Sequence, residues 1–364
     1  MSTLFQQTLK GVNLMKMADL VGRVEDALRK CFGDIPFLRS LDFRQENRDS
    51  MEHLDLVATL DLPGEKVRLL VDVKSRGEPR LARQAVNQLV RYRDAFSGSY
   101  AVFAAPYISA ESARICKADK VGFLDLAGNC FLSFGNVFIS REGRPNPFSE
   151  RRALRSLFRP KAERVHRVLL ETPGKAWRTT ALAKEAGVSL GHISNVKRLL
   201  EDREWIRAGA EGLVLSEPRR LLAEWAQSYD SARSYARGLY TMKTILEIEQ
   251  GLAHACVKEG IRYALTGFSA AARWAPAVKY PRVVAYVSGD VEAIVRRLDL
   301  RDVPTGANVT LLSPYDEGVY YGVRSVDEVQ VVCPVQAYLD VQGQAARGQE
   351  AAEALLVKEI RPRW

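Results

Sequence analysis

The chain has 364 residues, 47% of them hydrophobic and 27% charged, so it has enough apolar material for about two or three separate domains. The five cysteines are scattered and form no CxxC pair, which argues against a disulfide framework or a zinc site. The sequence shows neither an apolar run of the roughly 20 residues that span a bilayer nor a signal-peptide pattern, so we expect a cytoplasmic protein without membrane contact. The 53 Lys and Arg against 44 Asp and Glu give a net charge of +9, which favours a polyanionic partner.

Residues 1–145 alternate helix-like and strand-like segments, which predicts an α/β domain with a mixed central sheet. Apolar residues recur at helical spacing in ADLVGRVEDALRKCF and LARQAVNQLVRYRDAF, whereas HLDLVATLDL and KVRLLVDVKS alternate like paired strands around the turn signal PGE. A buried strand (YAVFAAPYI), a serine-capped helix (SAESARICKADK) and a strand–turn–strand segment (GFLDLAGNCFLSF) follow.

The two paired strands carry ionisable side chains on one side. Asp72 and Lys74 lie two positions apart, so they point to the same side of their strand, opposite the apolar residues between and around them. Asp55 takes the corresponding side of the neighbouring strand. Two carboxylates at hydrogen-bond range repel each other unless a cation neutralises them, and Mg²⁺ or Mn²⁺ is the hard, oxygen-seeking cation that does so. A nearby lysine can then act on a metal-bound water or on a scissile phosphate.

Asp55 followed by VDVK resembles the PD-(D/E)XK, or restriction-endonuclease-like, nucleases, although His53-Leu54 stands where the family pattern has a proline. The following helix adds QLVRY, which is similar to the QxxxY element of the exonuclease branch. If the site is active, the resemblance implies Mg or Mn at Asp55, Asp72 and Glu25, and otherwise no cofactor. The implied catalytic residues are Asp55, Asp72, Lys74, Gln88 and Tyr92. The alternative is an α/β domain in which Asp72 and Lys74 form a surface ion pair.

Residues 146–160 form a basic linker in this interpretation. Nine Lys and Arg stand against three acids from Arg141 to Arg167, and the turn signal PNP at 145–147 supports a boundary. The stretch reads either as a solvated connection or as a segment that tracks phosphates into the next domain.

Residues 161–229 contain the pattern of helix, turn, helix and two short strands. TALAKEAGVS predicts a helix that ends at Gly187, and Ser189 then caps a second helix. EWIRAGAEGLVLSEP predicts two short strands. This looks like a winged helix-turn-helix, which implies that the second helix enters the major groove. The residues of that helix expected to bind DNA are Ser189, His192, Ser194, Asn195, Lys197 and Arg198. The alternative is a helical hairpin used for protein contacts.

Residues 230–364 combine long helices with strand-like runs (RVVAYVSG, NVTLLSP and VQVVCP), which predicts an α+β domain. YALTGFSAAARWAP, PRVVAYV and CPVQAYLDVQGQAARGQEAAEALL, with the preceding module, are similar to the AbiEi-type antitoxins of type IV toxin–antitoxin systems. The resemblance spans about residues 160–360. It is carried by Thr266, Gly267, Ala270, Pro334, Gln336, Tyr338, Leu339 and Asp340.

That resemblance implies a repressor that binds double-stranded DNA at its own operon, with a cognate toxin of the nucleotidyltransferase type and a homodimer as candidate partners. LTGFSAA also resembles minimal nucleotidyltransferases, but the next strand, RVVAYVSGD, lacks their paired aspartates, which argues against transferase activity.

The sequence therefore predicts an α/β and α+β multidomain protein with a nuclease-like front domain, a winged helix-turn-helix and a C-terminal α+β domain. The function expected first is sequence-specific, DNA-binding transcriptional regulation. The alternative is a Mg- or Mn-dependent DNA nuclease that the winged helix targets to its site.

Overall fold

The computed structural model describes residues 17–33, 35–44, 54–147, 157–344 and 347–364. The chain divides into two compact units, residues 1–150 and 151–364. Most of the predicted linker at 146–160 lies outside the described residues, as does His53. Among the described helices, none combines the length and the apolar composition that a membrane crossing requires.

The first unit is a mixed α/β structure around a seven-stranded sheet whose strands pair in chain order. The first three strands are antiparallel, the third to fifth are parallel, and the last two return antiparallel. The strands are β1 (Ser40–Arg44), β2 (Leu56–Leu62), β3 (Glu65–Val73), β4 (Ser99–Ala105), β5 (Gly122–Asp125), β6 (Cys130–Phe134) and β7 (Val137–Arg141). The helices are α1 (Met17–Phe32), α2 (Pro79–Ala95) and α3 (Ala110–Ala118).

Apolar clusters cover both faces of this sheet. Leu56 and Val71 pack with α1 on one face, whereas Leu70 and Phe103 pack with α2 and α3 on the other. The sequence pattern assigned only the first face to the core. Parallel strands in the middle of a sheet are commonly buried on both sides. Leu54 precedes β2 and packs in the second cluster, whereas Leu56 packs in the first.

The second unit begins with a small group of helices followed by a two-stranded antiparallel sheet. These elements are α4 (Pro160–Glu171), α5 (Thr179–Ala186), α6 (Leu190–Asp202), β8 (Ile206–Gly209), β9 (Gly212–Leu215) and α7 (Pro218–Ser228). Trp177 and Leu213 exchange backbone hydrogen bonds of 2.8 and 2.9 Å, which adds a one-residue third strand beside β9. Leu182, Ile193 and Val196 close the core between the helices.

The rest of the second unit is a seven-stranded mixed sheet in the order β13-β10-β14-β12-β11-β16-β15. Its strands are β10 (Tyr235–Tyr240), β11 (Arg262–Leu265), β12 (Val283–Ser288), β13 (Arg301–Asp302), β14 (Val309–Ser313), β15 (Arg324–Val326) and β16 (Val329–Val331). Its helices are α8 (Ile245–Glu259), α9 (Gly267–Trp274), α10 (Val291–Leu298), α11 (Pro334–Gln342) and α12 (Gly348–Leu355). One cluster of buried apolar side chains runs from Leu157 to Ile360, so the small helical group and this sheet share a core.

Candidate functional sites

The start of α6 is fixed by the two residue types that the sequence singled out. Gly187 ends α5 in the left-handed region at φ +60°, which glycine adopts at little cost. Ser189 then caps α6, because its Oγ accepts a hydrogen bond from the backbone N–H of His192 at 3.4 Å. The Ser189 Oγ also lies 3.0 Å from the His192 Nδ1. The serine therefore orders both the helix end and a neighbouring candidate side chain.

The outward face of α6 carries the side chains expected to bind DNA. His192, Ser194, Asn195 and Arg198 are exposed, and Lys197 is half-buried. Ser189 is also exposed, at the cap. The apolar residues between them face inward and are buried, as the helical spacing of the sequence requires: Ile193, Val196, Leu199 and Leu200.

Acidic side chains within α6 hold its two basic groups close to the helix. Arg198 donates a 3.1 Å hydrogen bond to the Asn195 Oδ1 and lies 3.6 Å from the Asp202 carboxylate. The Lys197 ammonium lies 3.6 Å from Glu201. The Arg198 and Lys197 side chains keep access to solvent, at 52% and 34% exposure, so a phosphate or a base edge can compete for these basic groups.

A shallow depression lies beside the start of α6, and the sequence analysis did not single it out as a site. Lys161 of α4 and Lys184 of α5 line it together with Ser189 and His192. Both lysines are exposed. The only sequence signal was the excess of basic residues around 141–167, because Lys184 reaches this place through the packing of three helices.

The first unit brings Asp55 and Asp72 together. Asp55 lies just before β2, and its Oδ2 accepts a 2.8 Å hydrogen bond from the backbone N–H of Val73. Asp72 is 1% exposed within β3, and the Lys74 Nζ lies 2.5 Å from its Oδ1. The pair is therefore not the surface contact that the alternative interpretation described.

The electrostatic environment of Asp72 disfavours its charge. Burial raises the pKa of Asp72, the Lys74 ammonium opposes that rise, and the Asp55 carboxylate adds to it. Within the described residues, the buried Oδ2 of Asp72 has no hydrogen-bond partner. A divalent cation fits this donor set, because it would neutralise the carboxylates and occupy the unpaired oxygen.

Glu25 is not joined to this pair in the structure. In the described part of the chain, no three His, Cys, Asp or Glu side chains come together as a group able to hold a metal. Glu25 instead accepts a 2.7 Å hydrogen bond from Arg29 on α1. The apolar face of α1 covers the side of the sheet that holds Val71, whereas Asp72 points to the other side, because strand side chains alternate.

Gln88 and Tyr92 lie on one face of α2, as their spacing predicts. The Gln88 Nε2 donates a 3.1 Å hydrogen bond to the Tyr92 hydroxyl, and both side chains are half-buried. The helix packs against β3 and β4 on the face that carries Asp72.

Residues that carry the C-terminal resemblance meet in a buried polar network. Asp340 accepts hydrogen bonds from Thr266 at 2.5 Å, from Gln336 at 2.9 Å and from Tyr229 at 2.7 Å. Burial raises the pKa of Asp340, and these donors oppose the rise. The hydroxyl of Ser269, in the LTGFSAA segment that resembles nucleotidyltransferases, accepts a hydrogen bond from the Val284 N–H. Thr266 and Ser269 of this segment therefore take part in internal hydrogen bonds.

Arg167 connects this network to α4, and sequence reasoning missed it. Its guanidinium is fully buried and donates to the Gln336 Oε1 at 2.6 and 2.9 Å and to the Tyr315 hydroxyl at 3.0 Å. The Tyr315 hydroxyl in turn donates to Glu163, which also pairs with Arg233 at 2.6 Å. Arg164, also on α4, forms a bidentate ion pair with the Asp316 carboxylate, with hydrogen bonds of 2.6 and 2.9 Å. The available sequence signal was an arginine four residues after a glutamate, because this spacing brings two side chains together on one helix face.

The comparison with protein families finds a match in the C-terminal part of the chain. Residues 214–360 match the family model described as transcriptional regulator, AbiEi antitoxin, type IV TA system. The match begins within β9 and covers α7 and the second seven-stranded sheet with its helices. Residues 160–213, which the sequence resemblance also included, lie outside it. No curated protein and no solved structure matches the chain.

Proposed function

Because residues 214–360 match the family model described as transcriptional regulator, AbiEi antitoxin, type IV TA system, we propose that this chain represses transcription by binding double-stranded DNA through α6. In this proposal α4, α5, α6 and the β8–β9 pair form a winged helix-turn-helix. The observation that carries it is the polar, exposed face of α6, which projects from a group of helices that shares its core with the family segment.

The start of α6 suits a DNA phosphate. The first N–H groups of a helix have no partner within the helix, and the helix dipole places partial positive charge there. Lys161 and Lys184 add two ammonium groups at the same place, and Ser189 adds a hydroxyl. Contacts of this kind fix the register of a protein on the duplex without reading its sequence.

Farther along α6, Asn195 and Arg198 supply the groups that read bases. An asparagine amide can pair with adenine in the major groove, and an arginine guanidinium can pair with guanine. Their mutual hydrogen bond of 3.1 Å aligns both side chains along one line of the helix surface. Asp202 and Glu201 compete with DNA for Arg198 and Lys197. DNA sequences that offer weaker hydrogen-bond acceptors than guanine or phosphate should therefore bind less tightly.

Binding to the DNA upstream of the chain's own coding sequence tests this proposal. We expect a duplex of that region to bind more tightly than a scrambled duplex, with an affinity that falls steeply as salt rises. The Asn195→Ala/Arg198→Ala variant should lose roughly 30- to 25,000-fold in affinity for the upstream duplex and little for the scrambled one, since each of the two base contacts is worth about 1–3 kcal/mol. Gln250→Ala/Lys258→Ala removes an amide and a cation from the exposed side of α8 and serves as the matched control.

The affinity of the α6 double variant for the upstream duplex can also contradict the proposal. If the α6 double variant retains the affinity of the unchanged chain for the upstream duplex while the α8 variant behaves identically, α6 does not read DNA. A Lys161→Ala/Lys184→Ala variant separates the two kinds of contact, because loss of phosphate contacts should weaken both duplexes and reduce the salt slope.

The family also points to partners that we include in the proposal. A cognate toxin of the nucleotidyltransferase type and a second copy of this chain are the candidates. Co-expression with the product of a neighbouring toxin gene, followed by size measurement of the purified complex, tests the first. The size of the chain alone in solution tests the second.

A second candidate function is metal-dependent DNA cleavage by the first unit. The unpaired, buried Oδ2 of Asp72 beside Asp55 favours it. Asp55 and Asp72 would hold Mg²⁺ or Mn²⁺, which supplies charge neutralisation at a scissile phosphate and an activated water. The chain's own contribution would be the Lys74 ammonium at the carboxylates and the Gln88–Tyr92 pair on the covering helix.

Cleavage assays decide this second candidate. Plasmid and linear DNA incubated with the chain and Mn²⁺ should be cut, and Asp72→Asn should abolish cutting. Asn195→Ala should retain cutting but lose its preference for one site. Intact DNA at every tested concentration of Mn²⁺ and Mg²⁺ would remove the nuclease from consideration and leave the regulator unaffected.

A further inference from the structure

We propose that Cys31 and Cys130 form an oxidation site, a buried dithiol that hydrogen peroxide converts into an intramolecular disulfide. The inference concerns the first unit and does not depend on DNA binding. It departs from the sequence analysis, in which the scattered cysteines argued against a disulfide framework.

The geometry of the two thiols carries the inference. Their sulfur atoms lie 3.6 Å apart, although 99 positions separate the residues in the chain. Cys31 lies in the last turn of α1 and Cys130 begins β6. A disulfide bond is about 2.05 Å long, so the sulfur atoms would have to approach each other by about 1.5 Å.

The neighbouring aromatic side chains hold the two elements at this distance. Phe32, next to Cys31, packs against Phe134 of β6 with 6.4 Å between ring centroids. Phe134 also packs against Tyr100 of β4 at 4.6 Å. The approach of the sulfur atoms therefore needs a small shift of the last turn of α1 and no rearrangement of the sheet.

The environment of Cys130 differs from that of the other buried thiols. The hydrogen bond with Cys31 lowers the pKa of Cys130, burial opposes this, and Arg141, its partner across β6 and β7, adds to the lowering. Burial raises the pKa of Cys116 and of Cys256 to about 12. Since the thiolate is the reactive form, Cys130 is the thiol that peroxide attacks first.

The reaction balances without a further reagent. The Cys130 thiolate attacks one peroxide oxygen, an S–O bond forms, the O–O bond breaks, and the departing hydroxide takes up a proton to become water. The Cys31 sulfur then attacks the resulting sulfenic acid, an S–S bond forms, and the S–O bond breaks with release of a second water. The two thiols lose two electrons in total, and the two peroxide oxygens gain them.

The disulfide would close a loop that contains Asp55 and Asp72 together with β1 to β5. Cross-links that close long loops remove the most conformational freedom from the unfolded chain. Oxidation would therefore fix α1 to the sheet and stabilise the unit that holds the carboxylate pair.

Mass spectrometry of the full chain after peroxide treatment tests the site. We expect the loss of two hydrogen atoms and a cross-linked peptide pair containing Cys31 and Cys130, both reversed by dithiothreitol. Cys31→Ser should abolish the cross-link and leave Cys130 as a trapped sulfenic acid, whereas Cys116→Ser, the control, should cross-link normally. The melting temperature of the first unit should rise by roughly 5–15 °C on oxidation in the unchanged chain and in Cys116→Ser, but not in Cys31→Ser.

Two outcomes would overturn the proposal. One is a chain that peroxide oxidises at Cys130 to sulfinic acid without any cross-link to Cys31. The other is a cross-link that survives in Cys31→Ser, because the partner would then be a different cysteine.

Discussion

His166 makes the second unit sensitive to mild acid, and its environment sets the size of the effect. The imidazole is fully buried between Phe158 and Trp225, and its Nε2 donates a 2.7 Å hydrogen bond to the Leu157 carbonyl. Burial lowers the pKa of His166 from 6.5 to about 4, and the Leu157 carbonyl opposes that shift. The native state therefore keeps a neutral ring at a pH where the unfolded chain takes up a proton.

The direction of the pH dependence follows from the protons that each state binds. Between about pH 6.5 and 4 the unfolded state binds more protons than the native state, so the free energy of unfolding falls as the pH falls through that window. A difference of about 2.5 pH units corresponds to roughly 3 kcal/mol at the acid end. This is a substantial part of the 5–15 kcal/mol that typically stabilises a domain.

Urea denaturation at a series of pH values between 7 and 4 measures the effect. In His166→Gln the side-chain amide can still donate to the Leu157 carbonyl but cannot titrate, so we expect its loss of stability over this range to be about 3 kcal/mol smaller. His254→Gln removes an exposed histidine and should follow the unchanged chain. Equal acid sensitivity in the unchanged chain and His166→Gln would refute the reasoning.

Three further substitutions test the packing and the carboxylate pair. Gly212→Ala should destabilise the second unit by about 3 kcal/mol in urea denaturation, because the φ of Gly212 is +136° and the new Cβ would meet the Trp177 carbonyl. Gly209→Ala is the control and should be nearly neutral, because its new Cβ would have no neighbouring atom closer than 4.0 Å. Arg167→Met should cost roughly 3–5 kcal/mol in the same assay, because it leaves buried acceptors unpaired. Mn²⁺ at 100 times its Kd should stabilise the first unit by about 2.7 kcal/mol in thermal unfolding, and Asp72→Asn should abolish this gain.

Local patterns predicted many of the elements near the candidate sites. The alternation around PGE predicted the β2–β3 hairpin, and the structure pairs Leu56 with Val71 in antiparallel register. The Ser189 cap and the inward face of α6 were also readable, because both depend on residues at most four positions apart. The local sequence alone therefore predicted which residues form the polar face of α6.

Features that depend on distant residues were not predictable in this way. The burial of both sheet faces changed the surroundings of Asp72, and the position of α1 over the opposite face separated Glu25 from it. The Arg167–Gln336 contact joins residues 169 positions apart, and the paired thiols are 99 apart. The edge strand β1 and the strand β10 were missed. The alternation in β1 extends over only five residues, and β10 has one buried residue among six.

The contacts of α4 determine which part of the chain must be moved if α6 and its neighbouring helices are to be transferred to another protein. Arg164 holds Asp316 and Arg167 holds Gln336, so the helical group cannot swing independently of the sheet that follows it. A hybrid protein cut at residue 229 would expose the guanidinium of Arg167 and half of a shared core to water. An engineer who wanted to graft the proposed DNA-binding surface of α6 onto another chain would have to transfer residues 157–364 as one piece.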